Sequence, residues 1–366
     1  MAASRRSLAS LTVLLLLRSV SATAAGSSYN VTDLGSLGGS GVGGVSSAGQ
    51  AINNSGQVTG SSYLSNGTQD AFLYSNGVMT DLGSLGGPSA GQAINDSGQV
   101  TGYSGLSNGT SHAFLYSNGV MTDLGTFGGS SSGGLGINDA GQVTGYAGLS
   151  NGTSHAFLYS NGVMVDLGTL GGPYSGGTGI NAFGEVVGSS TVFFSSDSDA
   201  FLYSSGVMAG LGAFGGAPSA GQAINASGQI TGWYYLPVSG TQRAFLYGDG
   251  VITDLGAFGG GDADGLGIND AGQVVGESIL PNGSPRAFLY SNGAMIDLNS
   301  LINPSLGITL FDAEGINNLG QIVANGTNGR AYLLTPVSSA PEPSTFALLI
   351  AAPCFMALVG WTRRRN

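Results

Sequence analysis

The chain has 366 residues, 67 of them glycine, with only 8% charged residues, no lysine and a formal net charge of −11. The absence of lysine excludes Schiff-base and Walker-type phosphate chemistry, and the acidic balance excludes nucleic acid as a partner. A single cysteine, Cys354, excludes a disulfide framework and a thiolate metal cluster.

The chain opens on an address. Arg5-Arg6, the apolar run Leu8–Leu17 and Ala22-Thr23-Ala24 make the three parts of a secretory signal peptide over residues 1–24, with cleavage expected after Ala24. The run is too short to span a bilayer. Next comes an isolated strand pattern, Val31-Thr32-Asp33-Leu34-Gly35, with no partner upstream.

Between residues 50 and 325 one phrase recurs seven times: an apolar residue, Ile-Asn, two variable residues, then Gly-Gln-Val or a close variant. Its asparagines are Asn53, Asn95, Asn138, Asn181, Asn225, Asn269 and Asn317, spaced by 42 to 48 residues. A period of this size marks a repeat architecture. A second phrase follows at constant offset: Ala71-Phe72-Leu73-Tyr74, copies starting at Ala113, Ala156, Ala200, Ala244 and Ala287, and the variant Ala331-Tyr332-Leu333-Leu334. Six copies pass through a glycine turn such as Ser75-Asn76-Gly77 into a strand like Val78-Met79-Thr80-Asp81-Leu82. Asn-Gly between apolar runs predicts a type I′ hairpin, because both turn residues must tolerate positive φ.

Each repeat therefore holds two hairpins, and four short strands per period are the arithmetic of a propeller blade. Ala-Phe-Leu-Tyr is apolar on both faces, as expected of a sheet packed between neighbours. Val-Met-Thr-Asp-Leu is more polar and suits the outermost strand. Glycine pairs such as Gly86-Gly87, Gly128-Gly129 and Gly171-Gly172 stand where one blade passes to the next.

The last copy stops at Thr335-Pro336 without a fourth strand, and the isolated N-terminal strand supplies what is missing. The expected fold is all-β: a seven-bladed β-propeller of four-stranded blades over residues 25–338, closed by the N-terminal strand completing the last blade. A linear β-solenoid is the alternative, and it would not need that strand.

The position before each Ala-Phe holds Asp70, His112, His155, Asp199, Arg243, Arg286 and Arg330, which by symmetry stand on one side of the ring. Every arginine and histidine between the signal peptide and the C-terminal tail lies here. One reading is a polar circle binding a glycan or a partner; the other is strand starts that pair with polar neighbours. No carboxylate follows His112 or His155 with ligand spacing, so no metal site is expected. Asp33, Asp81, Asp123, Asp166, Asp254 and Asp297 recur in the outer strand and read as turn acceptors. Asp262-Ala263-Asp264-Gly265 shares part of a calcium loop but lacks the third alternating carboxylate and the distal glutamate. No His-Glu-x-x-His motif is present, and no catalytic residue and no cofactor are assigned. Asn-x-Ser/Thr triplets such as Asn66-Gly67-Thr68 read as turns.

The tail, residues 339–366, contains Pro341-Glu342-Pro343, a short apolar segment 346–361 interrupted by Pro353, and Arg363-Arg364-Arg365. It resembles the PEP-CTERM sorting signal of Gram-negative bacteria: a Pro-Glu-Pro motif, one short transmembrane helix and a basic end that stays cytoplasmic. The resemblance implies export, an inner-membrane-anchored precursor, processing by an exosortase, and delivery to the cell surface or extracellular matrix. The repeat unit, with His112-Ala113-Phe114, His155-Ala156-Phe157 and Asp-Leu-Gly followed by Leu-Gly-Gly, resembles the HAF family of extracellular repeats over roughly residues 29–336. That resemblance implies an extracellular location and no particular activity.

The expected function is a non-enzymatic extracellular or cell-surface propeller that binds extracellular polysaccharide or a surface protein. Its expected partners are the Sec export machinery and an exosortase, with membrane contact through the tail before processing. The alternative is an extracellular hydrolase or lyase acting on matrix polymer at the central channel.

Overall fold

The structure is a computed structural model that describes residues 28–193, 197–212 and 216–337. The signal peptide, Pro341-Glu342-Pro343, the transmembrane segment 346–361 and Arg363-Arg364-Arg365 lie outside those residues. Among the described residues no helix is long and apolar enough to cross a membrane.

The chain forms β-strands that pair antiparallel within each repeat. After β1 (Tyr29–Asp33) come β2 (Ser47–Ile52), β3 (Val58–Tyr63), β4 (Gln69–Ser75) and β5 (Val78–Asp81). The second repeat gives β6 (Gly86–Ile94), β7 (Val100–Leu106), β8 (Ser111–Ser117) and β9 (Val120–Gly125). The third gives β10 (Gly128–Ile137), β11 (Val143–Leu149), β12 (Ser154–Ser160) and β13 (Val163–Asp166). Then follow β14 (Gly171–Ile180), β15 (Val186–Val192), β16 (Ser198–Ser204) and β17 (Val207–Gly210), and β18 (Ser219–Ile224), β19 (Ile230–Tyr235), β20 (Gln242–Gly248) and β21 (Val251–Gly256). The sixth repeat gives β22 (Ala263–Ile268), β23 (Val274–Ile279), β24 (Pro285–Ser291) and β25 (Ala294–Asp297), and the last gives β26 (Leu310–Ile316), β27 (Ile322–Gly326) and β28 (Arg330–Pro336).

Strands β2–β5, β18–β21 and β22–β25 each form a four-stranded meander, and β1 lies beside β28 in the order β1-β28-β27-β26. The register of that last pair runs from Tyr29 opposite Pro336 to Asp33 opposite Tyr332. The meanders β6–β9, β10–β13 and β14–β17 are joined into one sheet by parallel bridges, Ser111 to Ser131 and Ser154 to Tyr174. The glycine pairs expected between blades are the first residues of the long strands β6, β10 and β14. Register shifts just beyond them let the strand bend toward the preceding sheet.

Both turn types follow from residue chemistry. In the hairpin from β8 to β9, Asn118 has φ 53° and Gly119 has φ 83°, the pair of positive values that a type I′ turn needs. Between β6 and β7, Asn95 Oδ1 accepts hydrogen bonds from the N–H groups of Ser97 (3.1 Å) and Gln99 (2.9 Å), fixing the turn from within. The phenylalanines Phe72, Phe114, Phe157, Phe201, Phe245 and Phe288 are wholly buried, one in each of six repeats. The outer strands are largely exposed, as their polar pattern predicted.

Candidate functional site

The inner strands β2, β6, β10, β14, β18, β22 and β26 each contribute three consecutive residues to one central cavity of about 400 Å³. Gln50, Gln92 and Gln222 lead three of these triplets, and Glu314 leads the one from β26. A second cavity, about 230 Å³, is lined by the turns that carry the repeated asparagines. There the amide of Asn53 donates to the carbonyl oxygen of Asn95 (2.9 Å), Asn95 to Asn138 (3.0 Å), and Asn138 to Asn181 (3.0 Å). Asn225 donates to Asn269, Asn269 to Asn317, and Asn317 to Asn53. Asn181 instead gives its amide to Glu185, which replaces the glutamine of the other repeats. These asparagines are buried, and in six of the seven the amide joins one repeat to the next.

The seven residues before Ala-Phe, or Ala-Tyr in the last repeat, lie at the opposite end of the strands, one per repeat, and are not brought together. Four bond to an outer-strand aspartate of their own sheet. His112 Nδ1 lies 2.9 Å from Asp123, His155 Nδ1 2.9 Å from Asp166, Arg286 Nε 3.9 Å from Asp297, and Arg330 Nη1 2.6 Å from Asp33. The same aspartates also accept the N–H of a following turn residue, as from Gly125 to Asp123 and from Gly35 to Asp33. Sequence reading missed the His–Asp partners, which are 11 residues apart and meet only when the β8–β9 hairpin folds them side by side. Burial, then repulsion from Asp81, raises the Asp70 carboxyl above its ordinary range; burial, then Asp197, does the same for Asp199. The Arg243 Nε is buried and has no hydrogen-bond partner.

A second group of residues, of which the sequence reading named only Asp264, as part of an incomplete calcium loop, lies nearer the channel at that same end. On the inner strands, the position held by Ala48, Ala90, Gly133, Gly176 and Ala220 in five repeats is Asp264 in β22 and Asp312 in β26. Asp264 pairs across the sheet with Glu277 of β23, and Glu314 follows Asp312 by two residues. Gln222 Nε2 donates to Asp264 Oδ2 at 3.5 Å, while Asp264 Oδ1 is buried with no partner. Asp312 accepts the N–H of Asn325 at 3.1 Å and is hydrogen-bonded to the Glu314 carboxyl. Burial raises all four: it pushes Asp264 up to about 8, with Glu277 adding repulsion, and holds Glu277, Asp312 and Glu314 above the usual carboxylate range. Asp312 and Glu314 also line a cavity of about 250 Å³ between β2 and the last sheet. Among the described residues no arginine or histidine forms an ion pair with any of the four, and no three His, Cys, Asp or Glu side chains gather as a metal site. Aligning the seven copies on their asparagines was the signal that could have found Asp264 and Asp312, since each replaces a small apolar residue.

The propeller domain of the Trilobed protease from Pyrococcus furiosus, described as having an open velcro topology, superposes on this backbone with a TM-score of 0.52 at 6% identity. The match covers 82% of this chain and 97% of that one. The fold is a β-propeller. At this identity the likeness speaks for fold alone. TolB from Acinetobacter baumannii matches with a TM-score of 0.47 and 14% identity, over 78% of this chain and 64% of its own. A catalytically inactive virginiamycin B lyase from Staphylococcus aureus matches with 0.47 and 10%, over 84% and 100%. The propeller chain thus spans less than two thirds of the TolB chain. No known family model matches it, and no curated protein does.

Proposed function

We propose that this propeller is an exported, non-enzymatic binding protein of the cell surface or extracellular matrix, with a closed ring of seven four-stranded blades. Support for closure comes from bonds between the first and last repeats. Strand β1 pairs with β28, the Asn317 amide reaches the Asn53 carbonyl at 2.9 Å, and Asn325 exchanges two hydrogen bonds with the main chain of Gly49. A ring leaves only the short outer strands of the blades, such as β5 and β25, as free sheet edges, which limits pairing between chains held at high local density outside the cell.

The observation that carries the binding reading is the channel mouth at Asp264, Glu277, Asp312 and Glu314. Repetition makes the blades nearly alike, and recognition needs a place where they differ. The mouth is that place, and among the described residues no arginine or histidine forms an ion pair with its carboxyl groups. Asp70, His112, His155, Asp199, Arg243, Arg286 and Arg330 lie on the same side, farther from the channel, where a polymer crossing the face meets them. Export and sorting rest on the signal peptide and on the PEP-CTERM resemblance of Pro341-Glu342-Pro343 and Arg363-Arg364-Arg365, with exosortase as the processing partner.

A second reading, an extracellular hydrolase or lyase, is favoured by the Asp312–Glu314 contact. Two hydrogen-bonded carboxyl groups beside a cavity can divide into a proton donor and an acceptor. A glycan array run beside a depolymerisation assay on the exported protein separates the two readings: binding without turnover is expected. Turnover lost in Glu314→Gln would replace the binding reading with the enzymatic one. Changing Pro341, Glu342 and Pro343 to alanine is expected to leave a membrane-held precursor, and normal release of that variant would remove the exosortase assignment.

A further inference from the structure

Five repeats fold with alanine or glycine where Asp264 and Asp312 stand, so the fold does not require acids there. Burying a carboxylate without a partner is costly, and Asp264 is enclosed with Oδ1 unbonded. Burial keeps a proton on Asp264, and a cationic donor from outside the chain, arriving at a mouth with four carboxyl groups, would take that proton's place. A bare metal ion draws its oxygens to about 2.0–2.6 Å, and the described residues hold no such gathering of ligands. An ammonium carries three donors and reaches oxygens at hydrogen-bond distance, so it can serve carboxylates spaced more widely.

The neighbouring blade supplies the other half of the site. Trp233 of β19 holds the place that Glu277 holds in β23, each facing the same position of its own inner strand. Trp233 lies two residues from Thr231, on the same face of β19, and the Thr231 side chain abuts Gly265, next to Asp264. Tyr235 fixes the indole in an edge-to-face contact with centroids 5.4 Å apart. An indole face beside carboxylates offers an apolar platform and attracts a cation over its ring.

Resting on the binding reading above, we infer that the mouth at Asp264, Glu277, Asp312 and Glu314 receives the primary ammonium of an amino-sugar residue in a cationic polysaccharide, its pyranose ring lying against Trp233. A lysine side chain carries the same ammonium but has no ring face for the indole, which favours the sugar.

Isothermal titration of the full processed protein tests this with three probes: a glucosamine hexamer, its N-acetylated counterpart and hexalysine. The glucosamine hexamer is expected to bind at least about tenfold more tightly than either of the others, the scale of one strong charge-assisted contact. Asp264→Asn and Glu277→Gln keep shape and remove charge, and each is expected to abolish that preference while the thermal melt shows a folded protein. Trp233→Ala is expected to weaken the glucosamine hexamer more than hexalysine, because the sugar loses the platform for its ring as well as the attraction for its cation. Equal or tighter binding of hexalysine would replace the sugar with a basic peptide. Equal binding of the two sugar hexamers, or no binding of glucosamine while a neutral glycan is captured on the array, would overturn the ammonium assignment and leave the binding reading intact. Turnover in the depolymerisation assay would overturn both.

Discussion

The side-chain amide of Asn317 donates to the main-chain carbonyl of Asn53 at 2.9 Å, across 264 residues of sequence. The same bond joins Asn95 to Asn138 and Asn269 to Asn317. Each asparagine also holds its own turn, so one side chain ties local geometry to the contact between repeats.

Asn317→Ala is therefore expected to cost as much as Asn95→Ala, on the order of 2–4 kcal/mol for several buried hydrogen bonds lost together. Asn181→Ala should cost less, because its amide stays within its own turn on Glu185. Chemical denaturation of the three variants checks the order. An Asn317→Ala effect near zero beside a large Asn95→Ala effect would argue against a closed ring.

Removing residues 26–36 deletes β1. The loss takes the five-pair register with β28, the buried side chains Tyr29 and Leu34, and the bond from Val337 N–H to Ser28 O. At about 0.5–1.5 kcal/mol per hydrogen bond and 1.5–3 kcal/mol per buried side chain, the cost is roughly 5–12 kcal/mol. That is comparable with the whole stability of a typical domain, about 5–15 kcal/mol. The truncated protein is expected to unfold or aggregate through the bared edge of β28. A thermal midpoint within a few degrees of the intact chain would count against closure by β1.

The carboxylates of the channel mouth set a pH dependence of stability. Burial raises Asp264, Glu277, Asp312 and Glu314 in the folded state, so the folded chain binds protons more tightly than the unfolded chain. Their contribution is fully present below the ordinary carboxylate range and is lost as pH rises through the folded values, to about 8 for Asp264. Calorimetry is expected to show the midpoint falling by on the order of 5 °C or more between pH 5 and pH 8.5. Asp264→Asn should flatten that slope. A midpoint that holds steady or rises over this range in the unmodified protein would contradict the prediction.

In six repeats the second strand carries a glycine that close packing requires, and in β27 the same place holds Ala324. A Cβ on Gly145 would overlap the main-chain carbonyl of Gly133 on the partner strand, and one on Gly102 would overlap that of Ala90. Neither carbonyl can swing away as a side chain does. Gly145→Ala is expected to cost on the order of 3 kcal/mol. Gly119→Ala has open space around it and suffers only from φ 83°, so about 1 kcal/mol is expected. Equal effects in denaturant titrations would show that close packing is not what fixes the position.

Much of the architecture was legible because it is local. Asn-Gly at Asn118-Gly119 demands positive φ at two successive residues, and alternation in Ala113-Phe114-Leu115-Tyr116 demands a strand with two apolar faces, so turns and strands follow from nearest neighbours. The 42- to 48-residue period then repeats that result along the chain. The strand starts at Gly86, Gly128 and Gly171 were not legible, since they depend on bulges that bend one sheet toward the next.

By itself, then, the sequence determined that this protein is all-β, built from a repeated pair of hairpins, and which side chains alternate inward and outward, because each of those choices rests on residues within a few positions of one another. Only the tertiary structure decided what those side chains meet. Asp264 and Asp312 are 48 residues apart in the chain, yet Gln222, Glu277, Asn325 and Glu314 gather with them at one mouth of the channel. Their burial, and the unbonded oxygen of Asp264, come from neighbouring sheets pressing face to face, a relationship no stretch of sequence carries alone.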